Sequence, residues 1–208
     1  MKKYSRLDLE SETENIVNEI KERFEKKGFS VVMMNDASQI RKLIDKNIPD
    51  DATVGLDGTS AIDELDIPIF LTEKWNVIID PYQKKLAPEI REYLFAKMEN
   101  VDHYITTIDA LTKDGQVVFK NRNKFLTSQH NKGPENVIAL ADMGNIVQNL
   151  EDAKKKLNTE QITVLEVSPF GLRRGLVDNY GQMEEYHDDD TLKQNTFTIV
   201  LLAEEPVY

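Results

Sequence analysis

The chain has 208 residues, with 26 Lys+Arg against 37 Asp+Glu, a net charge of −11, a 40% hydrophobic fraction and no cysteine. Length and apolar content suit one globular domain over residues 1–208. The missing cysteines exclude disulfides, thiol nucleophiles and a Cys-ligated iron–sulfur cluster, and the acidity argues against nucleic acid, whose phosphates need clustered Lys and Arg.

The opening MKKYSRLDLESE has no apolar run behind its lysines, and no later stretch approaches the ~20 apolar residues of a membrane span. The reading is a cytoplasmic protein without a membrane partner.

Leu9, Ile16, Val17, Ile20 and Phe24 share one helical face, with Ser11 and Glu14 at capping-box spacing and Gly28 as the stop. Residues 29–34 (FSVVMM) form an unbroken apolar run, which suits a strand buried on both faces. Asp36 and Gln39 repeat the capping spacing ahead of a helix carrying Ile40, Leu43, Ile44 and Ile48. A short strand over residues 53–56 then runs into the glycine turn GLDGTS, residues 55–60, and a helical turn through Ile62 and Leu65.

Residues 75–79 (WNVII) read as another buried strand, which makes Trp75 a core residue, as are Met33 and Met34. Pro88 opens a helix whose Ile90, Tyr93, Leu94 and Met98 share a face. Strands follow over residues 103–108 and 116–119, joined by a turn at Lys113, Asp114 and Gly115 that allows a hairpin. Residues 136–141 are one more apolar strand, and Ile146, Val147, Leu150, Ala153 and Leu157 form a helical stripe. The last strands are predicted over residues 162–167 and 197–203, with a long loop or insertion over 168–195. Repeated strand–helix pairs predict an α/β fold with an open, mostly parallel sheet and helices on both faces.

The GLDGTS turn is the first candidate site. Glycines between a strand end and a helix start let backbone N–H groups approach an anion, although the same residues also make a tight turn with Thr59 or Ser60 as N-cap. Asp57 within the turn would repel a phosphate, so either the ligand is a hydroxyl or a cation, or Asp57 points away. At the end of the 103–108 strand, Thr106 and Thr107 are hydroxyl donors, and Asp109 is a proton acceptor or a cap of the following turn. Arg173 and Arg174 suit a carboxylate clamp or ordinary surface pairing, and the acids from Glu184 to Asp190 with His187 suit a solvated patch better than a metal site. No Ser–His–Asp set, GxSxG or HExxH is present.

Four segments together resemble the LUD family, named for lactate utilisation: residues 52–65 (ATVGLDGTSAIDEL), 101–118 (VDHYITTIDALTKDGQVV), 133–150 (GPENVIALADMGNIVQNL) and 198–208 (TIVLLAEEPVY). The resemblance implies the fold of ribose-5-phosphate isomerase, glucosamine-6-phosphate deaminase and the CoA transferases, with ligands over the carboxyl ends of parallel strands. The family's Gly-rich turn falls on Gly55, Asp57, Gly58 and Thr59, beside Ser60, with Asp57 where another glycine is common. Its Thr-Gly-x-Asn-Ala-x-Thr-x-Asp-Gly pattern falls on Thr106, Thr107, Asp109, Ala110, Thr112, Asp114 and Gly115, with Thr107 and Asp109 where Gly and Asn are common. A further Asn-x-x-Gly-Asn-Arg run is partly echoed by Asn121, Arg122, Asn123 and Lys124, without the glycine. Many relatives carry cysteines in the region equivalent to residues 168–195, where this chain has Gly171, Arg173 and Arg174 instead.

The resemblance implies a cluster-free lactate-utilisation protein that binds a small organic acid, a nucleotide or a CoA-like ligand and works with an iron–sulfur or flavin partner. Gly55, Asp57, Gly58, Thr59, Ser60, Thr106, Thr107, Asp109, Asn121 and Asn123 are the expected ligand-binding residues, with no metal site. Two alternatives accompany it: a stand-alone enzyme on a phosphosugar or CoA thioester with Asp57 or Asp109 as general base, and a non-catalytic interaction domain.

Overall fold

In the buried strands of this chain, consecutive residues point to opposite sides, and that alternation divides the core between the two faces of one sheet. The computed structural model describes residues 6–34, 36–120, 134, 136–159, 162–168, 171–177, 183–186 and 196–202. Strands β1 (Ser30–Met34), β2 (Thr53–Leu56), β3 (Val77–Ile79), β4 (His103–Thr107), β7 (Asn136–Asp142) and β12 (Thr196–Leu202) form a six-stranded sheet in the order β1-β12-β7-β4-β2-β3. Every pairing in it is parallel.

One face of this sheet presents Val54, Leu56, Ile105, Ile138, Leu140 and Val200. They pack against α2 (Ala37–Asn47), α3 (Ser60–Glu64) and α4 (Ile67–Glu73), which supply Ile40, Ile44, Ile62, Ile67 and Leu71. The carboxylate of Asp36 caps α2 by accepting the Gln39 N–H at 3.0 Å, as its spacing in the sequence predicts. The opposite face presents Tyr104, Val137, Ala139, Ala141, Ile199 and Leu201, covered in part by Val17, Ile20 and Phe24 of α1 (Arg6–Lys26). Helices therefore lie on both faces.

The remaining strands form a second sheet that the sequence reading did not separate from the first. Its order is β11-β10-β9-β6-β5-β8, built from β5 (Ala110–Thr112), β6 (Val117–Lys120), β8 (Ile146–Val147), β9 (Ile162–Ser168), β10 (Gly171–Val177) and β11 (Met183–Tyr186). All its pairings are antiparallel except β5 with β8. Leu111, Val117, Phe119 and Leu165 join the α1 side of the core. Ala110, Val118, Ile162 and Val164 face the other way, onto Ala153 and Leu157 of α6 (Leu150–Leu157).

Five expectations are corrected. The hairpin runs between β5 and β6, because the chain leaves the parallel sheet after Thr107. The stripe expected from Ile146 begins as strand β8, and the helix starts only at Leu150, where Asn149 accepts the Asp152 N–H at 3.0 Å. The stretch expected as a loop over 168–195 contains β10 and β11. Trp75 is 85% exposed instead of buried, because it follows α4 in a left-handed conformation (φ 63°) and the strand begins only at Val77. The helix α5 (Pro88–Met98) likewise buries only Met98 fully, leaving Ile90 and Tyr93 exposed.

Candidate functional site

The chain reaches the carboxyl end of β2 at Leu56, and the next residue is a buried acid. Asp57 is 2% exposed and its carboxylate accepts five hydrogen bonds. Oδ1 takes the Thr59 N–H at 3.0 Å and the Thr59 hydroxyl at 2.8 Å. Oδ2 takes the Thr106 hydroxyl at 2.7 Å, the Thr107 N–H at 2.8 Å and the Thr107 hydroxyl at 3.2 Å. These donors replace the water that burial removes from the carboxylate, and they tie the glycine turn to the end of β4. Thr59 stands at the N-cap of α3 but makes no side-chain cap bond, since its hydroxyl goes to Asp57.

The glycines of the turn have packing reasons of their own. A Cβ on Gly58 (φ +68°) would lie 2.2 Å from Cβ of Tyr82, and one on Gly55 would lie 2.9 Å from Sδ of Met98. Neither glycine, nor Asp57 or Thr106, lines the cleft that opens beside them.

That cleft has a volume of about 360 Å³ and lies across the carboxyl ends of β4, β7 and β12 and the start of α3. Thr59, Ser60 and Glu64 line one wall, and Thr107, Ile108 and Asp109 another. Leu140, Ala141, Asp142, Asn145 and Leu202 complete it with Ala61 and Leu65. The connection after β2 leads outward to β3, and the one after β4 leads toward β7 on the other side. The cleft thus lies beside the point where the strand order reverses, the usual ligand crevice of open α/β sheets.

Asp109 is half-buried and held on three sides: its N–H bonds the Val118 carbonyl at 3.1 Å, its Oδ2 accepts the Lys120 N–H at 2.7 Å, and its carbonyl accepts the Asn145 side-chain amide at 3.2 Å. Asp142 and Asn145 form a reciprocal capping box, with bonds of 2.8 and 3.1 Å. From α6, the Lys156 ammonium donates to the Gly144 carbonyl. Burial holds its pKa below the ordinary lysine value, opposed by the nearby carboxylates of Asp142 and Asp109.

On the far side of the turn, burial raises the Asp80 carboxyl above its ordinary value; the neighbouring Asp63 and Asp57 add to this, and the Tyr82 N–H opposes it. Among the described residues, no group of three or more His, Asp or Glu side chains is placed to hold a metal, and no helix is long and apolar enough to cross a membrane.

The structure therefore brings Thr59, Ser60, Thr107 and Asp109 to the cleft, and sets Gly55, Asp57, Gly58 and Thr106 behind it as its frame. Asn121, Asn123 and residues 187–190 of the acidic run lie outside the described residues, while Glu184 and Glu185 fall in β11. The sequence reading missed Glu64, Asp142, Asn145 and Lys156. The signal for Asp142 was available, since it is an acid at the carboxyl end of a buried apolar strand, the argument that singled out Asp109.

An all-parallel sheet backed by helices and a second, mostly antiparallel sheet, with a polar-rimmed cleft at the strand ends, defines the class. The chain matches the LUD domain over residues 17–168 and belongs to the LUD domain family. A solved structure, a DUF162 family protein from Deinococcus radiodurans at 1.70 Å resolution, superposes with a TM-score of 0.56 at 11% sequence identity, covering 92% of this chain and 98% of that one. The likeness shows the shared fold. No curated protein matches the chain.

Proposed function

We propose that this protein is a cytoplasmic, cluster-free LUD-family member that binds a small molecule in the cleft between Thr107, Asp142 and the start of α3. Family membership and the cleft's position beside the sheet's reversal point support that reading. Of the candidate ligands, the lining favours a nucleotide or a CoA-like molecule over a free organic acid. Glu64, Asp109 and Asp142 put three carboxylates on the cleft, which suit ribose hydroxyls and base amino groups; they repel any anion inside it, so lactate is disfavoured and the phosphates of a nucleotide or CoA extend outward into solvent. Leu65 and Leu202, both half-buried, offer apolar surface for a base. Asp57 acts from behind as a positioning residue, because its lone pairs are taken up by Thr59, Thr106 and Thr107.

The observation that carries this reading is the acid-rimmed, half-apolar cleft, and a thermal-shift screen tests it. A nucleotide or CoA thioester at about 100 times its Kd adds about 2.7 kcal/mol, roughly 5–10 °C for a chain of this length. Ser60→Phe, which blocks the cleft from an exposed position, abolishes the shift without lowering the unliganded Tm. A screen in which lactate shifts the protein and nucleotides and CoA do not would overturn the ligand choice. The role in lactate use, with an iron–sulfur or flavin partner, predicts that a deletion strain fails on lactate and that the partner co-purifies. Normal growth on both L- and D-lactate counts against it.

A second reading has its own observation. Asp109 reaches the cleft with its carboxylate oriented by the Lys120 N–H, which suits a general base in a stand-alone enzyme on a CoA thioester or a phosphosugar. It requires turnover by the purified chain that Asp109→Asn removes while binding persists.

A further inference from the structure

We propose that the β3 edge of the parallel sheet is a self-association surface, where two copies of this chain meet across a two-fold axis.

The parallel sheet ends at β3, and both α4 and α5 pack against that strand. The large apolar side chains exposed among the described residues are Ile69, Trp75, Val77, Ile90, Tyr93 and Phe95, all on these three elements or the turn between α4 and β3. Concentrated exposure of this kind marks an interaction surface, whereas scattered exposure is ordinary. An open edge of apolar residues without a charged side chain also lacks the usual protection against strand pairing.

Trp75 adds an independent observation. The Asn76 N–H bonds the Leu71 carbonyl at 3.0 Å and the Trp75 N–H bonds the Thr72 carbonyl at 3.1 Å, the paired bonds that close a helix with a left-handed residue, usually glycine. Here that residue is a tryptophan at φ 63° and 85% exposure. Its ring offsets little of the backbone cost within one copy, so the cost is met where the ring is covered.

Charge and area favour a second copy as the cover. Residues 67–98 hold four acidic and five basic side chains, a net charge of +1, in a chain whose total is −11. Two copies that meet at this edge avoid the repulsion that a face carrying the chain's acidic excess imposes. Trp75, Tyr93 and Phe95, exposed by 85%, 59% and 41%, offer together roughly 300–450 Å² of the about 800 Å² that each side of a standard interface buries. Ile69, Val77 and Ile90 add to this, and a symmetric two-copy contact is the commonest oligomer.

Sedimentation of the purified full chain at about 10–100 µM tests the proposal. The expected mass is twice 23.9 kDa. Trp75 is the sole tryptophan, so its emission moves to shorter wavelength as concentration rises. Val77→Lys reduces the mass to one copy with an unchanged far-ultraviolet spectrum. Trp75→Gly does the same, and since glycine relieves the left-handed strain its monomer keeps or gains thermal stability. A one-copy mass with solvent-exposed emission across the whole range overturns the proposal and leaves this face to a different protein. A two-copy mass that survives both substitutions overturns it as well.

Discussion

The carboxylate of Asp57 and the backbone N–H of Thr107 meet at 2.8 Å across the junction of β2 and β4. That bond joins two chain segments 50 residues apart at the point where the sheet's strand order reverses. The other oxygen of the same carboxylate holds the Thr59 N–H, so one side chain fixes the distance between the start of α3 and the end of β4. Two walls of the cleft depend on that distance.

Asp57→Asn is expected to be costly in spite of its small change in shape. Each carboxylate oxygen accepts a backbone N–H, from Thr59 on one side and Thr107 on the other. An amide in either orientation therefore turns its NH₂ group toward a backbone donor. We expect a loss of about 2–3 kcal/mol in chemical denaturation, with lost ligand binding under conditions where the protein is still folded. Unchanged stability would mean that Asp57 does not bolt the two strands together.

Gly58→Ala is expected to lower stability by about 2–4 kcal/mol, from the left-handed backbone (φ +68°) and the 2.2 Å approach to Tyr82. The two causes separate in a double-mutant cycle. In a Tyr82→Gly background the contact is absent and the backbone cost remains, so the loss shrinks by about 1 kcal/mol or more. Equal losses in both backgrounds would assign the whole effect to backbone conformation.

The sequence made the parallel sheet legible because its strands are rich in apolar residues, and Ile105, Ile138 and Val200 bury on one face as surely as Tyr104, Ala139 and Ile199 do on the other. The second sheet was not legible in the same way. β5 has three residues and β8 two, too few to show a period, and both border segments that read as turn or helix. Trp75 misled because WNVII is apolar but for Asn76, and nothing local reveals that its first residue ends a helix. At the site, electrostatics left two choices, a hydroxyl or cationic ligand for Asp57 or an Asp57 that points away from an anion. Its donors came from Thr106 and Thr107, which the sequence had placed at a strand end without showing that they face the turn.

Two surface anchors set opposite limits on pH stability. Asp45 at 2.8 Å and Asp50 at 2.9 Å hold the Lys74 pKa above its usual 10.5, so this contribution is complete below 10.5 and disappears as pH rises through the folded value. The Thr53 hydroxyl and N–H hold Asp102 below its usual 3.8, so its contribution is complete above 3.8 and disappears as pH falls through the folded value. Titrating Tm with pH should show Lys74→Met flattening only the alkaline limb and Asp102→Asn only the acid limb. If either variant alters the opposite limb, its anchor does not work as described.

Asp80→Asn is expected to stabilise the protein. Burial raises the carboxyl's folded pKa above the usual 3.8, and Asp63 and Asp57 repel it further once it ionises. A raised acid is neutral without penalty below 3.8, and the folded state loses stability as pH climbs from there through the folded value. Asparagine keeps an oxygen to accept the Tyr82 N–H, which the aspartate now accepts at 2.9 Å, and carries no charge. At pH 7 the variant should gain about 0.5–1 kcal/mol, roughly 1–4 °C in Tm. Below pH 3.8 the gain should vanish, since both proteins are then neutral at this position. A gain that persists in acid would come from altered packing at the β3 end. A loss at neutral pH would show that the Asp80 charge meets a cation in solution, and would move attention from the cleft to the Tyr82 side of the turn.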